Sequence, residues 1–233
     1  MKNTRKNFWD QEYRDPIHLK LSTEPAEDLL LFVKWAERNA EWYPFPKHGT
    51  VLDLGCGNGR NLVWLCKEAN MNGVGYDSSG EAVAQAQKAA TAAGAHVQCI
   101  KRSIAGNFDL PDASVDVILD MMTSHVLNEA ERTHWKNEMF RVLKPYGWVF
   151  FKTFFLDGDL NASRMLREFP TKESGSYMHP RIGVLEHVWS QEEIHEFFDE
   201  LFTVHKVVKS HKHILKGKAF KRRTISIYLE KKG

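Results

Sequence analysis

The chain has 233 residues, of which 42% are hydrophobic, and this is enough for one domain with a substantial buried core. Its net charge of +2 is too small to indicate a nucleic-acid partner, and three scattered cysteines exclude a disulfide framework, so a cytoplasmic location fits best. No apolar run approaches the roughly 20 residues that cross a bilayer, and the first residues lack the apolar core of a signal peptide, so we expect no membrane contact.

The N-terminal part contains an aromatic segment, residues 8–13, and then an amphipathic pattern that predicts a helix over 24–43. From residue 50 onward, short apolar strands alternate with helical patterns. The strands are predicted over 51–54, 74–77, 96–100, 115–121 and 148–154, and the helices over 60–69, 80–93 and 129–143. This alternation predicts a mostly parallel sheet that is covered by helices on both faces.

The regular pattern stops over residues 156–188, where Gly, Ser, Asn and Pro are scattered, and we interpret this stretch as an irregular loop that covers the site. Ser190 and Glu193 then predict a capping box at the start of a helix. Two apolar runs, 202–208 and 224–229, end the pattern. The basic segment, residues 206–223, joins them and contains eight Lys or Arg and no carboxylate.

The sequence Gly-Cys-Gly-Asn-Gly, residues 55–59, lies between the first strand and the first core helix. Its spacing is G-x-G-x-G, whereas a dinucleotide site has G-x-G-x-x-G. Asp53, two residues before the turn, would repel a diphosphate but suits a cationic ligand. Asp77 ends the next strand, where a carboxylate can accept hydrogen bonds from ribose hydroxyls. The turn therefore indicates a positively charged ligand that carries a ribose.

Four segments, in order and spacing, resemble the class I methyltransferases that use S-adenosylmethionine. They are residues 51–59 (VLDLGCGNG), 74–77 (VGYD), 110–116 (LPDASVD) and 141–147 (RVLKPYG). The resemblance implies S-adenosylmethionine as the cofactor and an α/β fold, a three-layer Rossmann-like sandwich. It also implies a seven-stranded, mostly parallel sheet whose last strand is antiparallel, with the two final apolar runs as its sixth and seventh strands.

The resemblance also implies the cofactor contacts. Gly55 and Gly57 let the backbone approach the methionine part, Asp53 interacts with the ammonium group, and Asp77 binds the ribose. Family members often have Asp or Glu for the adenine amino group where this chain has Ser103, so the serine hydroxyl would make that contact. The predicted cofactor-binding set is Tyr13, Asp53, Gly55, Cys56, Gly57, Asn61, Asp77, Ser78, Ser103, Ile104, Asp120 and Met121.

The residues predicted to act on the acceptor are His125, Tyr177 and Glu186. His125 follows the fourth strand and could act as a general base near neutral pH, and the other two lie in the 156–188 stretch. Residues 120–126 (DMMTSHV) replace the Asn/Asp-Pro-Pro-Tyr/Phe motif of enzymes that methylate exocyclic amines, which disfavours that reaction on nucleic-acid bases.

We interpret residues 1–233 as one methyltransferase domain that acts on a small molecule. Its parts are an N-terminal helical lid (1–45), with Trp9 and Tyr13 over the cofactor, a cofactor-binding core (50–154), a substrate lid (156–188) and a closing helix with strands (190–231). Two alternatives stay open: an RNA methyltransferase that uses residues 206–223, and a cofactor-binding protein without turnover. The spacing of His179, Glu186 and His187 matches no metal site, and the sequence does not specify the oligomeric state.

Overall fold

The computed structural model describes residues 2–17, 21–39, 45–210, 214–215, 218–219 and 221–233. The helices are α1 (Lys2–Arg14), α2 (Glu27–Asn39), α3 (Arg60–Glu68), α4 (Gly80–Ala93), α5 (Glu129–Val142), α6 (Leu160–Glu168) and α7 (Gln191–Phe198). The strands are β1 (Thr50–Leu54), β2 (Asn72–Asp77), β3 (Val97–Lys101), β4 (Val115–Met121), β5 (Leu143–Phe154), β6 (Ser176–Met178), β7 (Leu185–His187), β8 (Phe202–Lys209), β9 (Ile214–Leu215), β10 (Lys218–Ala219) and β11 (Thr224–Lys231).

Seven of these strands form one sheet in the order β3-β2-β1-β4-β5-β11-β8. Strands β1 to β5 pair in parallel, whereas β11, the last strand in the chain, pairs antiparallel with both β5 and β8. The predicted fold class is confirmed. The strand order reverses between β1 and β4, and this leaves a crevice at their carboxyl ends, where α/β sheets bind ligands.

The two faces of the sheet bury separate apolar clusters because side chains of a strand alternate between faces. In β5, Trp148 and Phe150 pack with Phe32 of α2 and with residues of α3, whereas Phe151 packs on the other face with Trp135 of α5 and Phe198 of α7. Phe32 stacks on Phe150 at 5.0 Å between ring centres. Helices therefore cover both faces and form the outer layers.

The helix boundaries follow from capping residues. Gly94 ends α4 in the left-handed conformation, with φ 61°, as the sequence predicts. The Ser190 side chain accepts a hydrogen bond from the Glu193 amide at 3.0 Å, but the Glu193 carboxylate contacts His187 Nε2 at 2.8 Å instead of completing the reciprocal box. The predicted hydrogen bond from the Glu193 side chain back to the start of the helix is therefore wrong, because this carboxylate binds the buried imidazole of His187 instead.

The prediction of an irregular loop over residues 156–188 is wrong. Asp159 caps α6, and β6 and β7 then form an antiparallel hairpin in which Tyr177 lies opposite Glu186. Two features make this hairpin hard to recognise in the sequence: its strands are only three residues long, and its buried residue pairs are polar. Ser176 and His187, for example, form a buried hydrogen bond of 2.8 Å.

Three other boundaries differ from the predicted ones. Helix α2 covers Glu27–Asn39, and residues 40–43 of the predicted helix lie outside the described part. Strand β5 begins at Leu143, before Pro145 and Gly147, directly at the end of α5. In the basic segment, β9 and β10 pair with each other, and residues 211–213, 216–217 and 220 lie outside the described part. None of the helices in the described ranges has the length and apolar character to cross a membrane.

Candidate functional site

A cavity of about 630 Å³ opens at the carboxyl ends of the central strands. One part of its wall is the glycine turn after β1 together with Asp77 and Ser78 after β2. The opposite part is formed by a short 3-10 helix, Ser124–Val126, by Phe154 at the end of β5, and by Glu186 of β7. The cavity is therefore continuous from the predicted cofactor site to the predicted acceptor residues.

The glycine turn brings backbone close to the cavity. Gly55, Gly57 and Gly59 all have positive φ values, of 83°, 55° and 80°, which strain any residue with a side chain. A Cβ atom on Gly57 would lie 2.5 Å from the hydroxyl oxygen of Tyr13 in α1. Glycine at this position leaves room both for the tyrosine and for a ligand above the turn.

Asp77 is held in a fixed orientation at the end of β2. Its Oδ2 accepts a hydrogen bond from the Gly57 amide at 3.0 Å, and its Oδ1 accepts one from the Ser79 amide at 2.8 Å. Burial raises the pKa of this carboxyl, and the two amide hydrogen bonds oppose that shift. Each oxygen keeps a further lone pair, so the carboxylate can still accept two hydroxyl groups of a ligand.

Helix α1 packs over this end of the cavity and is attached to α4. Ser79 Oγ donates a hydrogen bond to Asp10 at 2.7 Å, and Gln85 Nε2 donates to the Tyr13 carbonyl at 2.7 Å. Trp9 and Tyr13 form part of the cavity wall. Burial raises the pKa of the Tyr13 phenol, so this hydroxyl stays protonated at neutral pH and can donate a hydrogen bond.

Asp53 and Asp120 lie behind the wall and not in it. Both are buried, with 3% and 0% of their surfaces exposed. Burial raises the pKa of Asp53 well above its usual range, and the neighbouring carboxyls of Asp120 and Asp77 raise it further. Burial likewise raises the pKa of Asp120 to about 7, although the carboxylate accepts hydrogen bonds from the amides of Thr123 and Ser124. A cation bound at this end of the cavity would favour the charged forms of these three carboxyls.

The other predicted cofactor residues do line the cavity. Asn61 also supports the wall, because its Oδ1 accepts a hydrogen bond from the Ala26 amide at 2.9 Å and its Nδ2 donates to Met121 Sδ at 3.2 Å. These wall residues are Tyr13, Gly55, Cys56, Gly57, Asn61, Asp77, Ser78, Ser103, Ile104 and Met121.

His125 lies in the 3-10 helix and faces the acceptor part of the cavity, with 6% of its surface exposed. Its ring contacts Phe154 edge to face at 4.9 Å. Burial lowers the pKa of His125 to about 4, and the nearby Arg222 and His187 also lower it, whereas Glu186 acts in the opposite direction. The imidazole is therefore neutral at physiological pH.

Tyr177, Glu186 and Arg222 form one connected group. The Tyr177 hydroxyl donates a hydrogen bond to Glu186 Oε2, and Arg222 Nη1 donates to the Tyr177 hydroxyl at 2.8 Å and to Glu186 at 3.3 Å. Glu186 and Arg222 line the cavity, but Tyr177 is fully buried behind them. Burial raises the pKa of Tyr177, so its hydroxyl remains a donor that positions the carboxylate.

Arg222 is a wall residue that the sequence did not reveal, because it lies in the basic segment, far along the chain from the predicted site residues. The signal that could have found it is the pairing of the last strand with β5. Thr224 lies opposite Phe154 in the sheet, so the residues just before β11 must meet the carboxyl end of β5. Within the described part of the chain, no group of three or more His, Cys, Asp or Glu is arranged to hold a metal ion.

Comparison with known proteins gives matches of two kinds. Residues 51–147 match the family described as a methyltransferase domain. Indolepyruvate C-methyltransferase of Streptomyces griseus is 42% identical over 40 residues, a match that covers 17% of this chain and 12% of that relative's length.

Solved structures share the fold across much more of the chain. The match with a methyltransferase from Methanosarcina mazei that depends on S-adenosylmethionine covers 81% of this chain and 95% of that chain, with a TM-score of 0.68 and 22% identity. The 1,6-didemethyltoxoflavin-N1-methyltransferase of Burkholderia thailandensis was solved with bound 1,6-didemethyltoxoflavin and S-adenosylhomocysteine. Its match covers 100% of this chain and 89% of that chain, with a TM-score of 0.69 and 15% identity. Taken together, these likenesses show that residues 51–147 match a methyltransferase domain and that the chain shares the fold of methyltransferases that depend on S-adenosylmethionine.

Proposed function

We propose that the protein transfers a methyl group from S-adenosylmethionine to a small molecule that binds in the same cavity. The observation that carries this proposal is the continuity of the cavity from Asp77 to His125 and Glu186. Its volume of about 630 Å³ falls in the range of roughly 300–1,000 Å³ that is common for small-molecule sites. The similar Burkholderia enzyme is named for a small heterocyclic acceptor, which also supports this class.

The residues at the turn suit the cofactor. The left-handed turn leaves space that a side chain on Gly57 would fill, Asp77 offers two carboxylate oxygens, and the buried Asp53 and Asp120 attract a cation. When bound, the cofactor supplies a methyl group on a sulfonium: an acceptor lone pair forms the new bond, the electron pair of the broken carbon–sulfur bond stays on sulfur, and any acceptor proton leaves to a base.

The chain itself contributes position and a dry environment. Displacement at the methyl group requires the acceptor atom at about 3 Å and in line with the bond that breaks, so most of the work is orientation. Trp9 and Tyr13 give the cofactor side of the cavity an aromatic surface, and Phe154 does so on the acceptor side. His125, neutral because of its lowered pKa, can accept a proton or hydrogen bond from the acceptor, and Glu186 offers a second acceptor group.

The described part of the basic segment favours a small molecule over RNA as the acceptor. Lys206 and Lys209 lie over aromatic rings of the chain, at 5.9 Å from Trp35 and 5.1 Å from Phe155. Arg223 donates to the Asp157 carbonyl at 2.5 Å, and Arg222 faces the cavity. Cations with partners inside the chain are poorly placed to release counterions from an RNA backbone.

The test is to incubate the protein with S-adenosylmethionine that carries a deuterated methyl group, together with either a low-molecular-weight metabolite extract or total RNA. We expect the heavy methyl group in a small molecule, detected by mass spectrometry, and its absence when Asp77→Ala replaces the wild type. Label found only in RNA would establish the alternative acceptor. Tight binding of S-adenosylhomocysteine without label in either fraction would favour a protein that does not turn over.

A further inference from the structure

A second cavity, of about 420 Å³, lies beside the first. It is bounded by α6 and by the turn between β6 and β7, which provide Arg164 and Arg181. His179 and Arg222 belong to the walls of both cavities. A ligand that extends past these two residues would therefore occupy both spaces.

The second cavity is strongly cationic. Arg164, Arg181 and Arg222 contribute three guanidinium groups to its wall, against one carboxylate, that of Glu168. Glu168 is already 3.7 Å from Arg167, which lies outside the wall. Over the described ranges, the guanidinium groups of Arg164 and Arg181 have no acidic side chain within ion-pair distance. Two arginine side chains therefore face this space with their charge uncompensated.

Arg222 connects this cavity to the acceptor site and is firmly held. Its guanidinium carbon lies 4.0 Å from the centre of the Phe154 ring, and Nη1 donates to Tyr177 and Glu186. Nε is 3.5 Å from the buried Asp159 carboxylate. Among the described residues, Nη2 has no hydrogen-bond partner. A cation held from several sides needs little reordering to meet an anionic ligand.

Two cations of the first cavity, Lys152 and Arg102, contrast with Arg164 and Arg181. Lys152 forms an ion pair with Asp28 of α2, and Arg102 forms one with Asp109. Their charges are compensated within the chain. Arg222 is itself paired with Glu186 and Asp159. The uncompensated positive charge beside the acceptor site is therefore that of Arg164 and Arg181.

We propose that the second cavity is an oxyanion subsite, in which Arg164, Arg181 and Arg222 bind a carboxylate or phosphate group of the acceptor while its methyl-accepting atom lies beside His125. The planar guanidinium groups can donate two parallel hydrogen bonds to either kind of oxyanion. The inference rests on the proposed function, since it names the chemical class of that acceptor. A neutral analogue without the oxyanion would lose this contact and bind more weakly.

The test measures binding of two probes, inorganic phosphate and citrate, to the protein saturated with S-adenosylhomocysteine. The double variant, Arg164→Ser with Arg181→Ser, removes two positive charges from the wall of the second cavity. The control, Arg38→Ser with Lys172→Ser, removes two exposed charges elsewhere, so both proteins have the same net charge. We expect at least one probe to bind the Arg164→Ser/Arg181→Ser variant roughly tenfold more weakly than it binds the wild type and the control. The probe that is affected shows whether the subsite recognises phosphate or carboxylate.

Equal affinity of all three proteins for both probes, or the absence of probe binding to the wild type, would overturn the subsite. S-adenosylhomocysteine affinity is measured on the same samples and separates the two proposals. If that affinity is retained and the probes fail, only the subsite is wrong; if it is absent in the wild type, the methyltransferase proposal itself fails. If a short RNA binds these arginines with a steep salt dependence, and phosphate and citrate do not bind, the second cavity would be a nucleic-acid site instead.

Discussion

The guanidinium group of Arg222 lies over the ring of Phe154, with 4.0 Å between the guanidinium carbon and the ring centre. The two residues are far apart in the sequence but meet because β11 pairs with β5 and places its first residue, Thr224, opposite Phe154. The contact brings a cation from the end of the chain to the wall that also contains His125. The acceptor part of the cavity is thus built from the middle and the end of the sequence together.

Replacing Asp77 with Ala should weaken S-adenosylhomocysteine binding by at least about tenfold. Each charge-assisted hydrogen bond to a ribose hydroxyl contributes roughly 1.5–3 kcal/mol, and two are expected here. The measurement is calorimetry, with circular dichroism to show that the fold persists. Asp112→Ala, at an exposed carboxylate of the 110–116 segment, is the control. An unchanged dissociation constant would mean that Asp77 does not contact the ribose.

When S-adenosylmethionine is saturating, the pH profile of kcat/KM for the acceptor should be flat between pH 8 and about 5. Burial lowers the pKa of His125 to about 4, so the neutral form that accepts a proton is present over this range and is lost only on further acidification. His125→Asn should lower the rate and remove the acidic limb of the profile. A limb centred near 6.5 that disappears in the same variant would show instead that His125 is solvated.

Binding of S-adenosylmethionine near pH 7 should release protons. The pKa values of Asp53 and Asp120 are raised in the free protein, that of Asp120 to about 7, so a fraction of these carboxyls is protonated there. A bound cation favours the charged forms and lowers both pKa values. Calorimetry in buffers with different ionisation enthalpies measures the released protons. Asp120→Asn should release fewer, and equal release by both proteins would exclude Asp120 as the source.

Hydrogen exchange should distinguish the two regions that the sequence predicts as lids. Helix α1 is attached mainly through polar contacts such as that of Asp10 with Ser79, so its amides should become protected when the cofactor binds. The β6–β7 hairpin should be protected already in the free protein, because Ser176 and His187 are buried and hydrogen-bonded to each other. Rapid exchange in the hairpin of the free protein would contradict this difference.

The sequence predicted the methyltransferase domain, the cofactor and the sheet, because each depends on local signals. The alternation of apolar strands and helices predicts the layers, and the glycine spacing with Asp77 indicates the kind of cofactor. The hairpin and Arg222 could not be predicted in this way. Buried polar pairs such as Tyr177 with Glu186 look like surface residues in a sequence, and the position of Arg222 depends on a strand pairing that joins distant parts of the chain.

The position of β11 between β5 and β8 has a consequence for folding during synthesis. Strands β1 to β5 can assemble as soon as they leave the ribosome, but β8 has no place in the sheet until β11 arrives. Until then the edge of β5 has unpaired backbone groups, which invites wrong association. A chain that stops before Thr224 should therefore keep the cofactor turn but aggregate, and without the pairing of β11 with β5 it should no longer hold Arg222 beside Phe154.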